Sequence, residues 1–209
     1  MADVALDPGH SSWDVGATGA GLRELDLTLD VAQRVRSRLE DAGLVVRLSR
    51  EDDRRVAASV PANLTDAIRV EQFARHAVVA PARAFLSIHF NGHPDRRLRG
   101  TETYYNAENY GDPSRMLATS VHESTLRGLR SAGYESNDRG VREDLTAGKP
   151  YGHFFSLRGP CPSALVEALF LSNDGEATLL RDVTIREALA AGIAHGLEDY
   201  LTVHLGPAR

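Results

Sequence analysis

Short apolar runs alternate along this chain with longer stretches in which apolar residues recur every three or four positions. Residues 84–90 and 164–171 are predominantly apolar, which is typical of short strands buried on both faces of a sheet. A helix is indicated where five apolar residues share one face: Leu25, Leu29, Ala32, Val35 and Leu39. Buried strands separated by amphipathic helices predict an α/β fold with a mostly parallel, twisted sheet and helices on both of its faces.

The same pattern sets approximate bounds for the elements. Strands are predicted at residues 4–6, 44–48, 85–90, 100–105 and 164–171. Helices are predicted over residues 25–39, 63–80, 116–129 and 185–201. The charged residues 50–55 are expected to be exposed, and residues 139–162 are expected to form a long loop.

Length and composition narrow the class of protein. A chain of 209 residues without repeats or breaks in composition fits a single domain spanning 1–209, with a monomer as the favoured state. The net charge of −5 offers no basic excess for nucleic acid, and no apolar run is long enough for membrane insertion. The single cysteine, Cys161, excludes an internal disulfide. No signal peptide precedes the first predicted strand, which leaves a trimmed chain and a phage lysin both open.

Three potential metal ligands stand where predicted strands end or just past their exit loops. His10 follows the first strand, Glu24 begins the first helix after a glycine-rich loop, and His89 closes the central strand. Open α/β sheets bind their ligands at the carboxyl ends of their strands. Two histidines and one glutamate are a common catalytic set for a single Zn²⁺ ion, with the fourth position left open.

A further acidic residue, Glu167, lies inside the apolar run of residues 164–171. A carboxylate there is costly to bury without a partner. Pairing with a buried arginine, or an outward position on an edge strand, would satisfy it. The alternative is a functional one, because burial beside a metal site raises the pKa of a glutamate and suits it to act as a general base.

Short motifs follow one another in a fixed order along nearly the whole chain. They are Asp7-Pro8-Gly9-His10, Gly19-Ala20-Gly21-Leu22-Arg23-Glu24-Leu25, Ser87-Ile88-His89-Phe90-Asn91, Gly100-Thr101-Glu102-Thr103-Tyr104-Tyr105, and Leu165-Val166-Glu167 with Leu171-Ser172-Asn173. In this order they resemble the zinc-dependent N-acetylmuramoyl-L-alanine amidases of the type-three family, which are peptidoglycan hydrolases with one α/β domain. The resemblance implies that His10, Glu24 and His89 are the zinc ligands and that Glu167 is the catalytic glutamate.

The resemblance also implies a reaction and a location. The expected substrate is peptidoglycan, cleaved at the amide between N-acetylmuramic acid and L-alanine, and the expected site of action is the cell wall, outside the cell or in the periplasm. Asn91 and Arg142 are candidate substrate contacts, Arg142 for a stem-peptide carboxylate. Two alternatives are equally open: Asn91 caps the end of the strand, and Arg142 is exposed to solvent.

Two features depart from this family or vary within it. Residues 75–77 read Arg75-His76-Ala77 in a segment where the family usually carries an Ala-Asn pair, and serines follow His10 where it often has glycines. Some members carry a long inserted helix that plugs the site until an activator removes it. Only one predicted helix separates Tyr104 from Arg139, which leaves no room for a plug and predicts an open site.

Two other functions fit parts of the pattern. A zinc carboxypeptidase on a related fold would need a basic pocket for a terminal carboxylate, and no particular arginine is marked for that role. A non-catalytic wall-binding module is disfavoured because all four expected site residues are present. The histidines at positions 76, 93, 122, 153, 195 and 204 are expected in loops, on the surface or in packing.

Overall fold

The computed structural model describes residues 1–205, and its elements alternate as the sequence pattern predicts. They are β1 (Ala2–Pro8), β2 (Thr18–Gly19), β3 (Leu22–Arg23), α1 (Glu24–Asp41), β4 (Val46–Leu48), α2 (Leu64–Val79), β5 (Ala82–Asn91), β6 (Thr101–Tyr105), α3 (Gly111–Ser131), β7 (Asp138–Glu143), β8 (Ser163–Phe170), α4 (Asp174–Leu179) and α5 (Val183–Tyr200). Two 3₁₀ turns, Asp144–Ala147 and Phe155–Leu157, lie between β7 and β8, and a π-helical turn, Leu201–Leu205, follows α5. Among these described helices, none has the length and apolar character needed to cross a membrane.

Six strands form one sheet in the order β4-β1-β5-β8-β6-β7. The first four are parallel neighbours, whereas β6 runs antiparallel to β8 and β7 runs parallel to β6. The predicted mostly parallel α/β fold is therefore confirmed. Because β5 lies between β1 and β8, polar residues at the ends of these three strands are brought to one edge of the sheet.

Alternate residues of the central strands face different layers of helices. Leu86 and Ile88 belong to the main core, which includes residues of α1, α3 and α5, whereas Phe85 packs with Val79 of α2. Since side chains alternate along a strand, His89 lies on the same face as Phe85, the face covered by α2. The helices thus flank both faces, and polar side chains reach the α2 face near the ends of the strands.

Two local expectations from the sequence were wrong. Arg50 is buried rather than exposed, because its guanidinium donates to the main-chain carbonyls of Pro8 and Gly9. Residues expected to form one long loop include β7, which pairs with β6 at the edge of the sheet. Most residues of β7 are only partly buried and carry charge, so no apolar run marked the strand.

Candidate metal centre and active site

His10, Glu24 and His89 meet at the edge of the sheet where β1 and β5 end. Glu24 Oε1 lies 3.1 Å from His10 Nε2 and 3.1 Å from His89 Nδ1. One donor atom from each of the three residues lies within 4.8 Å of the other two. The three side chains that the sequence predicts as zinc ligands are therefore close enough to bind one small cation.

Glu24 is the first residue of α1 and is held by both of its carboxylate oxygens. Its Oε1 accepts a hydrogen bond of 2.9 Å from the Phe90 amide, and its Oε2 accepts one of 2.7 Å from the Ala17 amide. Burial by itself would raise the pKa of Glu24, but the charge of His10 and hydrogen bonds from both histidines hold that pKa well below its usual range. The start of a helix adds a favourable dipole for this negative charge.

His10 lies two residues beyond the end of β1 and occupies a left-handed backbone conformation, with φ of 64°. Its Nδ1 lies 3.1 Å from Asp14 Oδ2, which leaves Nε2 directed at Glu24. Burial by itself would lower the pKa of His10, but the charges of Glu24 and Asp14 and their hydrogen bonds to the imidazole together raise the pKa to about 10. Burial lowers the pKa of His89.

Two glycines make room for the cluster. A Cβ atom at Gly9 would lie 2.3 Å from the His89 ring, and a Cβ at Gly16, whose φ is +70°, would lie 2.5 Å from Glu24 Oε2. Neither distance is compatible with a side chain unless the ligand residues move. The main chain therefore approaches the cluster as closely as it does only because these positions lack side chains.

Glu167 lies next to His89, its register partner across β5 and β8. Its Oε2 is shielded from solvent and has no hydrogen-bond partner among the described residues. Desolvation, followed by the negative charges of Glu24 and Glu102, raises the pKa of Glu167 well above its usual range. Neither non-functional interpretation applies within the described part of the chain. The two arginines of β7, Arg139 and Arg142, pair with Glu102 rather than with Glu167, and β8 is a central strand.

A cavity of about 480 Å³ opens beside these residues. Its walls include the four predicted site residues, Asn91, residues of α2 such as Ile68 and Gln72, and residues between β7 and β8 such as Tyr151 and Phe155. Helix α3, the only helix between β6 and β7 in the described chain, contributes no residue to this lining and packs mainly on α5. Within residues 1–205, therefore, no helix inserted between β6 and β7 plugs this cavity.

Comparisons with known proteins fit this geometry. Residues 4–199 match the family model of the N-acetylmuramoyl-L-alanine amidases. The chain belongs to the N-acetylmuramoyl-L-alanine amidase family. This confirms the resemblance seen in the motifs and the expected class of enzyme.

Individual relatives of this amidase agree with the family match. The chain is 30% identical over 198 residues to the N-acetylmuramoyl-L-alanine amidase LytC of Bacillus subtilis and 30% identical over 201 residues to the germination-specific amidase of that bacterium. These matches cover 94% and 95% of this chain but 35% of LytC and 79% of the germination-specific protein. The CwlD amidase from Clostridioides difficile, solved in complex with the GerS lipoprotein, superposes with a TM-score of 0.80 at 28% identity, over 97% of this chain and 100% of that chain.

The amidase also contains a buried acidic residue that sequence reasoning did not single out. Glu102 is the register partner of Glu167 across β6 and β8. It accepts hydrogen bonds from Asn91 Nδ2 at 2.5 Å, Arg139 Nε at 2.9 Å and Arg142 Nη1 at 3.3 Å. Asn91 lines the cavity, whereas Arg142 is not among its lining residues. Glu102 stands in the alternating motif of residues 100–105, which would have marked it only once β6 was known to adjoin β8.

Proposed function

We propose that this chain hydrolyses the amide between the lactyl carbonyl of N-acetylmuramic acid and the amino group of L-alanine in peptidoglycan. In this proposal His10, Glu24 and His89 hold one zinc ion and Glu167 acts as the general base. The observation that carries it is Glu167 Oε2, a buried oxygen without a partner in a cavity that all three candidate ligands line. Family membership supports the reaction class.

The donor set suits zinc better than a hard cation. Calcium and magnesium prefer oxygen ligands, whereas two imidazoles with one carboxylate are typical of catalytic zinc. His10 also has the contact expected of a metal-binding histidine, since a carboxylate of Asp14 lies 3.1 Å from the nitrogen that faces away from Glu24. When bound, zinc would act as a Lewis acid on the scissile carbonyl and lower the pKa of water towards about 7.

Glu167 would move the proton that the reaction requires. Its carboxylate would accept a proton from the attacking water and return it to the nitrogen of the departing L-alanine. The raised pKa favours this role, because a strongly acidic carboxyl group would not retain the proton between the two steps. Asn91 lines the same cavity and would orient the substrate from there, with its side chain fixed by Glu102.

The remaining parts of the proposal concern the whole chain. Residues 1–209 would form one catalytic domain that acts as a monomer on peptidoglycan at the cell wall. Because α3, the helix between β6 and β7, contributes no residue to the cavity lining, we propose that activity needs no activator to uncover the site.

The test combines metal analysis with product analysis on the purified protein. We expect one zinc ion per chain, and digested peptidoglycan should release stem peptides that begin with a free L-alanine amino group. The Glu167→Gln variant, matched in size, serves as the control for contaminating hydrolases. Loss of a C-terminal residue with the lactyl amide intact would indicate a carboxypeptidase, and binding to cell walls without any product would indicate a wall-binding module.

A further inference from the structure

Arg75 of α2 is almost completely buried, with 1% of its surface exposed. It belongs to the segment in which the sequence departs from the related family. Its Nε donates to Glu71 Oε1 at 2.9 Å, and its Nη1 donates to Asp7 Oδ1 at 2.9 Å and to the Pro8 carbonyl at 2.6 Å. Its Nη2 donates to the carbonyl of His10 at 2.5 Å. Each guanidinium nitrogen therefore has a partner, and one partner is the main chain of a candidate zinc ligand.

The two carboxylates around Arg75 are themselves fully engaged. Asp7 also accepts hydrogen bonds from the Ser49 and Ser87 hydroxyl groups, at 2.5 and 2.7 Å. Glu71 also accepts hydrogen bonds from two main-chain amides, those of residues 56 and 57, at 3.0 and 2.9 Å. The positive charge of Arg75 is thus balanced without its contacts to the carbonyl groups of Pro8 and His10. Those contacts are an additional feature that charge compensation does not explain.

A second buried arginine holds the same loop from another element. Arg50, just beyond β4, donates to the Pro8 carbonyl at 2.9 Å and to the Gly9 carbonyl at 2.8 Å. Three consecutive carbonyl groups, those of residues 8, 9 and 10, are therefore each bound by a guanidinium. Of these two arginines, Arg75 is the one that reaches the third carbonyl group, that of His10.

The conformation of His10 explains why such fixing is needed. A φ of 64° is unfavourable for a residue with a side chain and persists only where the surroundings impose it. In that conformation Nε2 lies 3.1 Å from Glu24 Oε1. If His10 relaxed to an ordinary backbone conformation, its imidazole would leave the position facing Glu24 and His89.

We propose that Arg75 is a positioning residue of the metal centre. By binding the carbonyl groups of Pro8 and His10, it holds His10 in the left-handed conformation and thereby sets the affinity for zinc. This inference rests on the proposed function, since it assumes that His10 is a zinc ligand.

The first test is Arg75→Lys, which keeps the positive charge near Asp7 and Glu71 but cannot reproduce the fork of guanidinium donors. The zinc dissociation constant of the metal-stripped protein would be measured by competition with a chromophoric chelator, together with kcat and KM at saturating zinc. We expect zinc binding to weaken by about 10- to 100-fold, the range observed when groups that orient metal ligands are replaced. Arg75 borders the cavity, but its guanidinium nitrogens all donate to protein acceptors. We therefore also expect kcat to fall while KM changes by less than about twofold.

A matched control is available on the opposite side of the molecule. Arg186 of α5 likewise ties a carboxylate, that of Asp30, to two main-chain carbonyl groups, those of Leu180 and Arg181. Arg186→Lys should leave zinc affinity and kcat unchanged. Ile193→Ala, a core variant on α5, provides a second control for general destabilisation, with the melting temperature measured for every protein.

If Arg75→Lys does not fold, Arg75→Met combined with Glu71→Gln removes the guanidinium without leaving Glu71 as an unpaired charge, and the same weakening of zinc binding is expected. A folded variant at position 75 that binds zinc within twofold of the wild type would overturn the positioning role. The positioning role would also be overturned if Ile193→Ala, at the same loss of melting temperature, weakened zinc binding as much as the variant at position 75. Failure of the wild type itself to bind zinc and to cleave the lactyl amide would instead defeat the proposed function.

Discussion

Glu24 and Glu167 border the same cavity, yet their surroundings drive their pKa values in opposite directions. Glu24 accepts hydrogen bonds from two main-chain amides and faces two histidines, and its pKa is held well below the usual range. Glu167 has a buried oxygen without a partner, and desolvation raises its pKa well above the usual range. Both carboxylates experience desolvation, so burial does not distinguish them.

The difference lies in what each carboxylate faces. A glutamate surrounded by donors is stabilised as an anion and suits cation binding, whereas a glutamate with few donors and negative neighbours holds a proton readily. Glu102 extends the comparison, because it is also buried beside Glu167 but is bonded to Asn91, Arg139 and Arg142. This contrast supports the proposal that Glu167 transfers the proton, whereas Glu24 binds the cation and Glu102 pairs with the arginines.

The largest expected effect comes from Glu24→Gln. The substitution keeps the size of the side chain but removes the negative charge that faces both histidines. Zinc should be lost, and with it several kcal/mol of transition-state stabilisation, so kcat/KM should fall by about 10³-fold or more. Metal analysis of the variant and release of L-alanine amino groups from peptidoglycan measure the two effects. A variant that retained both zinc and activity would show that Glu24 is not a zinc ligand.

Glu167→Gln should separate proton transfer from metal binding. Because Glu167 is proposed to carry the proton and not to bind the ion, zinc content should stay at the wild-type level. Turnover should fall by about 10²- to 10⁴-fold, the usual contribution of a general base. The steady-state rate on purified muropeptides is the measurement, and a rate near that of the wild type would refute the assigned role.

The zinc-free protein should show the same contrast in stability. Since the folded state raises the pKa of Glu167, the unfolded chain loses this proton first, and stability decreases as the pH rises above about 4.5. Glu167→Gln should therefore stabilise the protein at pH 7, and the gain should disappear as the pH falls below about 4.5, where the carboxyl group is protonated in both states. Glu24→Gln should destabilise it at pH 7 because the amide and imidazole donors lose their anionic acceptor. Thermal denaturation of the wild type and both variants would reveal a reversed order if this assignment is wrong.

The smallest effects are expected at Asn91 and Arg142. Asn91→Ala removes one cavity-lining hydrogen-bonding group and should lower kcat/KM by about 2- to 10-fold, the worth of one hydrogen bond. Arg142→Ala should have less effect, because Arg142 does not line the cavity and Arg139 still neutralises Glu102. Kinetics on muropeptides of defined stem sequence would rank the two, and a larger loss for Arg142 would favour its predicted role in binding a stem-peptide carboxylate.

The sequence predicts those strands and site residues that the local pattern of apolar and polar positions marks. Apolar runs locate β5 and β8, and their polar interruptions place His89 and Glu167 at the edge where the ligands meet. Contacts between residues that are far apart in the sequence leave no comparable pattern of apolar and polar positions. The contact of Arg75 with His10 joins residues 65 positions apart, and Arg50 looks like a surface charge until the carbonyl groups around it are known. The edge strand β7 was not predicted, because most of its residues are only partly buried and its sequence is polar.

The central claim is that one zinc ion lies among His10, Glu24 and His89, with Glu167 beside it but not bound to it. An anomalous difference map from crystals of the metal-loaded protein, collected at the zinc absorption edge, tests this most directly. The account predicts a single peak within bonding distance of one atom from each of the three ligands and beyond bonding distance of Glu167. A peak bonded to Glu167, or one located away from the three ligands, would contradict it.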